Sequence, residues 1–360
     1  MLSYFGKNSW ALTKFTGDYA NNEWRNNMLE VIKILINQLI NSKTLWKDNV
    51  LSNITNKPKN SASNRNDCIA FIHNNGLITM ITEAFTLGSD KKLILSILRD
   101  LCTLAQMCNE RLVYDILAEK MLNVGTFVQV LNLMKTGLES IEEMWVVKIL
   151  ELAATLPEGI LLLSRNLKPI LELLNRNLKR TTGDYMNSIV TLILDLTANE
   201  NCIEEVADFL VTHEVFSWVL GELHKELSKP ERTKYKDILM GIILNLSCNV
   251  ESDEIQKHFL ELYIPRILIE ILFDSRNDWP SNGSSLALMQ YARKSFESYW
   301  IYQIMNEEKT RNGMKRYLRL EGLLKAKENI KEALNYLEVA DEKQRSIKEI
   351  TAKQMIAMAA

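Results

Sequence analysis

A short phrase recurs four times along the chain, each time at the end of an amphipathic run. It reads Ile97-Leu98-Arg99-Asp100-Leu101-Cys102, Ile149-Leu150-Glu151-Leu152-Ala153, Ile193-Leu194-Asp195-Leu196-Thr197 and Ile243-Leu244-Asn245-Leu246-Ser247. In every copy a polar residue precedes a leucine and a small residue follows it. The leucines Leu101, Leu152, Leu196 and Leu246 are separated by 51, 44 and 50 residues, at or just above the roughly 40–47 residues of helical solenoid units. A unit of that size cannot bury its apolar face alone, so the repeat predicts stacked copies of one helical motif.

The segments between the phrases share one order: a short helix, a turn, a second helix, a polar loop and the long helix that carries the phrase. Short helices are predicted at Cys68 to Asn74, Glu110 to Lys120, Glu158 to Arg165, Cys202 to Thr212 and Glu254 to Glu261. Second helices are predicted around Met80 to Phe85, Phe127 to Leu131, Ile170 to Leu174, Trp218 to Leu223 and Ile267 to Leu272, where apolar residues three and four apart make one stripe. Pro169 and Pro265 fall in first turns, where a missing N–H costs nothing.

These residues resemble the three-helix armadillo repeat, over roughly residues 67 to 300. The resemblance implies an all-α, right-handed α-solenoid of armadillo-like three-helix repeats, followed by a C-terminal helical extension. It divides the chain into an N-terminal cap and degenerate unit (1–66), a repeat domain (67–300) and a charged extension (301–360). It also implies that the third helix of each unit lines a concave groove. The alignment puts the second-helix segments there, so Glu83, Gln129, Glu172, Glu222 and Glu270 become an acidic ladder, with Asn132 and Asn175 beside it. An extended basic peptide would meet regularly spaced carboxylates and amides on such a surface. The Trp-x-x-x-Asn of nuclear-import armadillo proteins is not reproduced, because Glu222 stands four residues after Trp218.

Composition agrees with a helical binding protein. Of 360 residues 47% are apolar, enough for a large core, and 13 Gly with 6 Pro are few for turn-rich β or α/β architecture. Lys and Arg number 43 against 45 Asp and Glu, a net charge of −2, so the chain is no polycation for nucleic acid or anionic membrane. Apolar stretches are shorter than a bilayer span needs, and no secretory signal opens the sequence. Five cysteines, an odd number without a Cys-x-x-Cys pair, predict a reducing, intracellular setting, cytoplasmic or nuclear.

Catalytic and metal chemistry has no foothold. His73, His213, His224 and His258 lack metal-ligand spacing, and no phosphate-binding glycine loop or nucleophile elbow occurs. The expectation is a non-enzymatic scaffold or adaptor for a protein or peptide, without cofactor, metal or membrane. The alternative is an RNA- or nucleoprotein-associated repeat protein using the basic clusters Arg165, Lys168, Arg176, Lys179, Arg180 and Lys309, Arg311, Lys315, Arg316, Arg319, Lys325, Lys327.

Flanking features complete the reading. Trp10, Phe15, Tyr19 and Trp24 suggest a cap, Asn53 to Asp67 a polar loop, and Asp274 to Ser285 a loop that ends the regular repeats. Leu323, Ile330 and Leu337, with Ala326, Ala333, Ala340 and Ile347, draw a narrow seam along a charged helix. That helix either folds back on the repeats or pairs with another chain through 315–350. Tyr291, Phe296, Tyr299, Trp300 and Tyr302 read as the core of the last unit.

Overall fold

The computed structural model describes residues 22–52, 75–107, 111–178, 184–275 and 278–359. All 18 elements among the described residues are α-helices. Residues 1–21, the 53–67 loop and the predicted short helix at 68–74 lie outside them. The chain forms two compact units, Met1–Asp195 and Leu196–Ala360.

Unit 1 begins with a long helix α1 (Asn22–Ser52), then α2 (Asn75–Thr86) and long α3 (Lys91–Met107). Short α4 (Arg111–Asn123), second α5 (Thr126–Met134) and long α6 (Ser140–Ala153) follow, and then α7 (Pro157–Ser164), α8 (Leu167–Leu178) and α9 (Asp184–Thr197), whose last two residues belong to unit 2. The long helices lie side by side, α3 packing between α1 and α6. Apolar residues of the marker phrase drive this packing: Ile97, Leu98, Leu101, Ile149, Leu150 and Leu152 are fully buried.

Unit 2 repeats the order. It holds α10 (Ile203–Thr212), α11 (Val215–Leu227) and α12 (Lys234–Asn249), followed by α13 (Asp253–Glu261), α14 (Ile264–Asp274) and α15 (Trp279–Lys294). The last trio is α16 (Tyr299–Met305), α17 (Glu308–Leu318) and α18 (Leu324–Ala359). The expected loop over Asp274 to Ser285 is therefore corrected: Trp279 opens α15, with Pro280 in its first turn. Ser281, Ser284 and Ser285 carry turn chemistry in the sequence, yet they belong to the buried side of α15. They are buried small side chains that let α15 approach its neighbours closely, and Asn329 of α18 donates to Ser285 Oγ at 3.0 Å.

The short–second–long order thus continues through the charged C-terminal segment. Ala326, Ile330, Ala333, Leu337 and Ala340 of α18 are buried, and α18 packs extensively on α15. The seam folds back as far as Ala340; beyond it Ile347 is 46% and Ile350 56% exposed. Of the aromatic run, Tyr291 is core, whereas Phe296 and Tyr299 are exposed, the former carrying Lys343 Nζ 4.3 Å above its ring.

The turn into the second helix has one geometry in three units. Gly125 before α5, Glu214 before α11 and Tyr263 before α14 all adopt left-handed backbone, with φ of 78°, 60° and 58°. Glycine does this without strain; Glu214 and Tyr263 do it at a cost. The turn survives the loss of its glycine because the helices on either side are held by packing.

Candidate functional site

In chain order the third helix of each unit is the long one, so the ladder residues stand on second helices. In unit 1, Glu83 of α2 and Asn175 of α8 are half-buried, and Glu83 Oε2 and Asn175 Oδ1 are shielded from solvent without a hydrogen-bond partner among the described residues. Gln129 is half-buried, and Asn132 and Glu172 are exposed. In unit 2 Glu222 has a lysine partner and Glu270 an imidazole nearby. Lys225 Nζ lies 2.6 Å from Glu222 Oε1, and His224 Nδ1 lies 3.7 Å from the exposed Glu270.

The long helices carry a denser polar arrangement. The polar member of each marker phrase sits where an otherwise apolar helix meets its neighbours: Asp100 and Glu151 are buried, and Asp195 and Asn245 half-buried. In unit 1 these positions organise two polar groups. Gln106 Nε2 donates to Glu151 Oε1 (3.4 Å) and Tyr114 OH (3.3 Å), while Lys148 Nζ reaches Glu151 Oε2 at 3.2 Å and Ser188 Oγ at 3.3 Å. Burial and the nearby Glu151 carboxylate push the Tyr114 hydroxyl far above its ordinary range, so it stays protonated.

The second group gathers around Arg99. Its Nε lies 2.6 Å from Asp100 Oδ1, its guanidinium carbon sits 5.2 Å from the Trp145 ring centre, and Nη1 donates to Tyr185 OH at 3.4 Å. Burial raises the Asp100 carboxyl above its usual value, opposed by the charges of Arg99 and Lys33. Among the described residues Asp100 Oδ2 and Trp145 Nε1 are buried without a hydrogen-bond partner, and the Arg99 Nε contact with Asp100 Oδ1 is a close ion pair rather than a well-directed hydrogen bond. In unit 2 the long helices present amides: Asn245 Nδ2 donates to Thr197 Oγ1 at 3.3 Å, and Asn282 Oδ1 is buried without a hydrogen-bond partner among the described residues.

In the sequence these marker residues read only as a repeat signature. The missed signal was the recurrence itself: a polar side chain kept at one place in a helix buried on several faces needs an explanation that packing does not supply.

The basic clusters are partly spent on internal pairs. Arg176 binds the buried Glu143 through Nε at 2.9 Å, and Arg311 pairs with Asp341 at 2.8 Å. Arg165, Lys168, Lys309, Lys315 and Arg319 remain exposed, and Lys179 and Arg180 lie outside the described residues. In unit 2 an open cleft of about 600 Å³ between α10 and α13 is lined by Glu204, Glu205 and Asp208 of α10 and by Glu254, Lys257, His258 and Glu261 of α13. No group of three His, Cys, Asp or Glu able to hold a metal occurs among the described residues, and no described helix is long and apolar enough to cross a membrane.

No protein-family model matches this chain, and no curated protein matches it either. Among solved structures it is similar to a designed armadillo repeat protein in complex with the peptide (KR)4, at 14% identity and a TM-score of 0.49, over 72% of this chain and 99% of that one. It is also similar to an engineered protein, at 11% identity and a TM-score of 0.43, over 91% of this chain and 98% of the other.

Proposed function

We propose that this chain is a non-enzymatic scaffold whose repeats hold a peptide or partner protein against their long helices. The observation that supports this reading is the set of desolvated polar atoms on those helices, above all Asp100 Oδ2 and Trp145 Nε1. A buried donor or acceptor left unpaired costs about 1–3 kcal/mol, and a ligand that supplies the missing partner recovers it. The acidic ladder is a second contact face: the unsatisfied acceptors of Glu83 and Asn175 and the exposed Glu172 favour a ligand rich in donors, hence a basic one. Free Cys102, Cys202 and Cys248 suit work in a reducing interior, cytoplasmic or nuclear. The nucleic-acid reading draws on fewer cations than the sequence displays, because Arg176 and Arg311 are committed to carboxylates.

Photo-crosslinking in a native lysate tests the proposal. A crosslinking residue replaces Gln106 on α3, or Glu172 on α8, both exposed. Capture of one defined set of proteins from Gln106 supports the long-helix surface, and capture from Glu172 alone transfers the role to the ladder. Capture at neither position above an uncrosslinked control overturns the reading.

A further inference from the structure

The Arg99 group has the composition of a ligand site that is already filled. An indole face, a carboxylate and a phenol hydroxyl converge on one guanidinium, and they come from three helices: Trp145 from α6, Asp100 from α3 and Tyr185 from α9. A structural ion pair between sequence neighbours needs no such surroundings. The arrangement is also incompletely satisfied. Trp145 is 9% exposed and Asp100 5%, yet the indole N–H and one carboxylate oxygen have no hydrogen-bond partner among the described residues.

Arg99 reaches water, as the half-buried Tyr185 does, whereas Asp100 and Trp145 are buried. The Arg99 side chain is 28% exposed while that of Asp100 is 7% exposed, so rotation of Arg99 outward uncovers the cradle without unpacking a helix. The long, unbranched arginine stem allows that movement at the cost of the contacts just described.

We propose that Arg99 is a built-in occupant of a cation site, and that the guanidinium or ammonium of a partner's basic side chain replaces it between Trp145, Asp100 and Tyr185. The chemistry favours arginine over lysine. A planar guanidinium stacks on the indole while donating in its own plane to Asp100 and Tyr185, whereas an ammonium is a compact point charge. Lys33 of α1 also faces Asp100, so the carboxylate stays electrostatically balanced during the exchange. An acceptor accompanying the incoming cation, such as a peptide carbonyl, would satisfy the stranded indole N–H. The inference rests on the scaffold reading and adds to it the chemical class of the ligand and a gate.

The probe is an acetylated and amidated octa-arginine peptide, with octa-glutamate as the control. Binding is measured by calorimetry and by the indole ¹⁵N–¹H resonance of Trp145, assigned with Trp145→Phe. Because the wild-type site is self-occupied, its apparent affinity is reduced by the closed fraction, and removing the occupant restores it. Arg99→Ala and the longer Arg99→Gln are therefore expected to tighten octa-arginine binding on the order of tenfold, and Asp100→Asn in the Arg99→Gln background to abolish the gain. The Trp145 resonance should shift with octa-arginine and stay still with octa-glutamate. Unchanged affinity in both Arg99 variants, with a stationary Trp145 resonance and unaltered melting, overturns the cation site. The crosslinking result at Gln106 is independent of this outcome, so failure of the gate and failure of the scaffold reading are distinguishable. If Arg99→Ala melts early, Arg99→Gln alone decides.

Discussion

Lys236 shows how strongly a single residue can bind these helices together. It is 1% exposed, and its ammonium donates to Asp274 Oδ1 at 2.8 Å and to the Lys229 carbonyl at 3.2 Å, joining α12 to the end of α14. Removing the carboxylate strands a buried charge, so Asp274→Ala should destabilise unit 2 by about 3 kcal/mol in urea unfolding. Asp100 behaves differently, because burial has raised its carboxyl above the ordinary value. A raised folded-state value means that its contribution to stability is complete below pH of about 4 and is lost as pH climbs through the raised value. Asp100→Asn should therefore flatten the decline of stability just above the usual carboxylate range, read from urea midpoints at stepped pH. The thiols make a third case: burial lifts Cys102 to about 12 and Cys202 and Cys248 to about 11. Since the thiolate is the reactive form, iodoacetamide at neutral pH should leave these three unmodified in folded protein, as peptide mass mapping would show.

At the scale of helices, the turn before each second helix gives a clean comparison. Glu214 holds a left-handed backbone that Gly125 adopts freely at the matching turn of another repeat, so Glu214→Gly should stabilise by about 1 kcal/mol despite the added freedom of the unfolded chain. The two ends of α18 give another. Leu337→Ala empties a fully buried site and should cost about 3 kcal/mol. Ile347→Ala, on the exposed stretch, should stay within about 0.5 kcal/mol. Helices of this kind were largely legible in the sequence. The predicted short helix at Glu158 to Arg165 is observed as Pro157–Ser164, and that at Cys202 to Thr212 as Ile203–Thr212, because a stripe of apolar residues three and four apart has few other ways to bury itself. The start of α15 was not legible. Asn277-Asp278-Trp279-Pro280-Ser281-Asn282-Gly283-Ser284 carries turn chemistry throughout, and only neighbours that need small side chains reveal Ser281, Ser284 and Ser285 as core. The Arg99 group was equally hidden, since its members lie 46 and 86 residues away from Arg99, at Trp145 and Tyr185, and no local pattern links them.

At the scale of the whole molecule, contacts within each compact unit run between neighbouring elements, so stability inside a unit should be distributed rather than pooled. Gly159 offers a way to measure this. A Cβ placed there would come 1.9 Å from the Ala153 carbonyl oxygen, and Gly159→Ala should cost about 2 kcal/mol through forced separation of α6 and α7. Hydrogen exchange followed by mass spectrometry should show the lost protection within 111–178 and none within 234–340. Exchange that rises equally in both units would mean that the chain unfolds as one cooperative body. The marker phrase has a consequence on a longer timescale. Its leucines and small residues carry the packing, while the residue beside them is aspartate in two copies, glutamate in one and asparagine in one. Because one letter per unit can change without disturbing the others, such a chain inherits its architecture and its chemistry on separate accounts. Duplicated units can then diverge in what they recognise long before they diverge in how they fold.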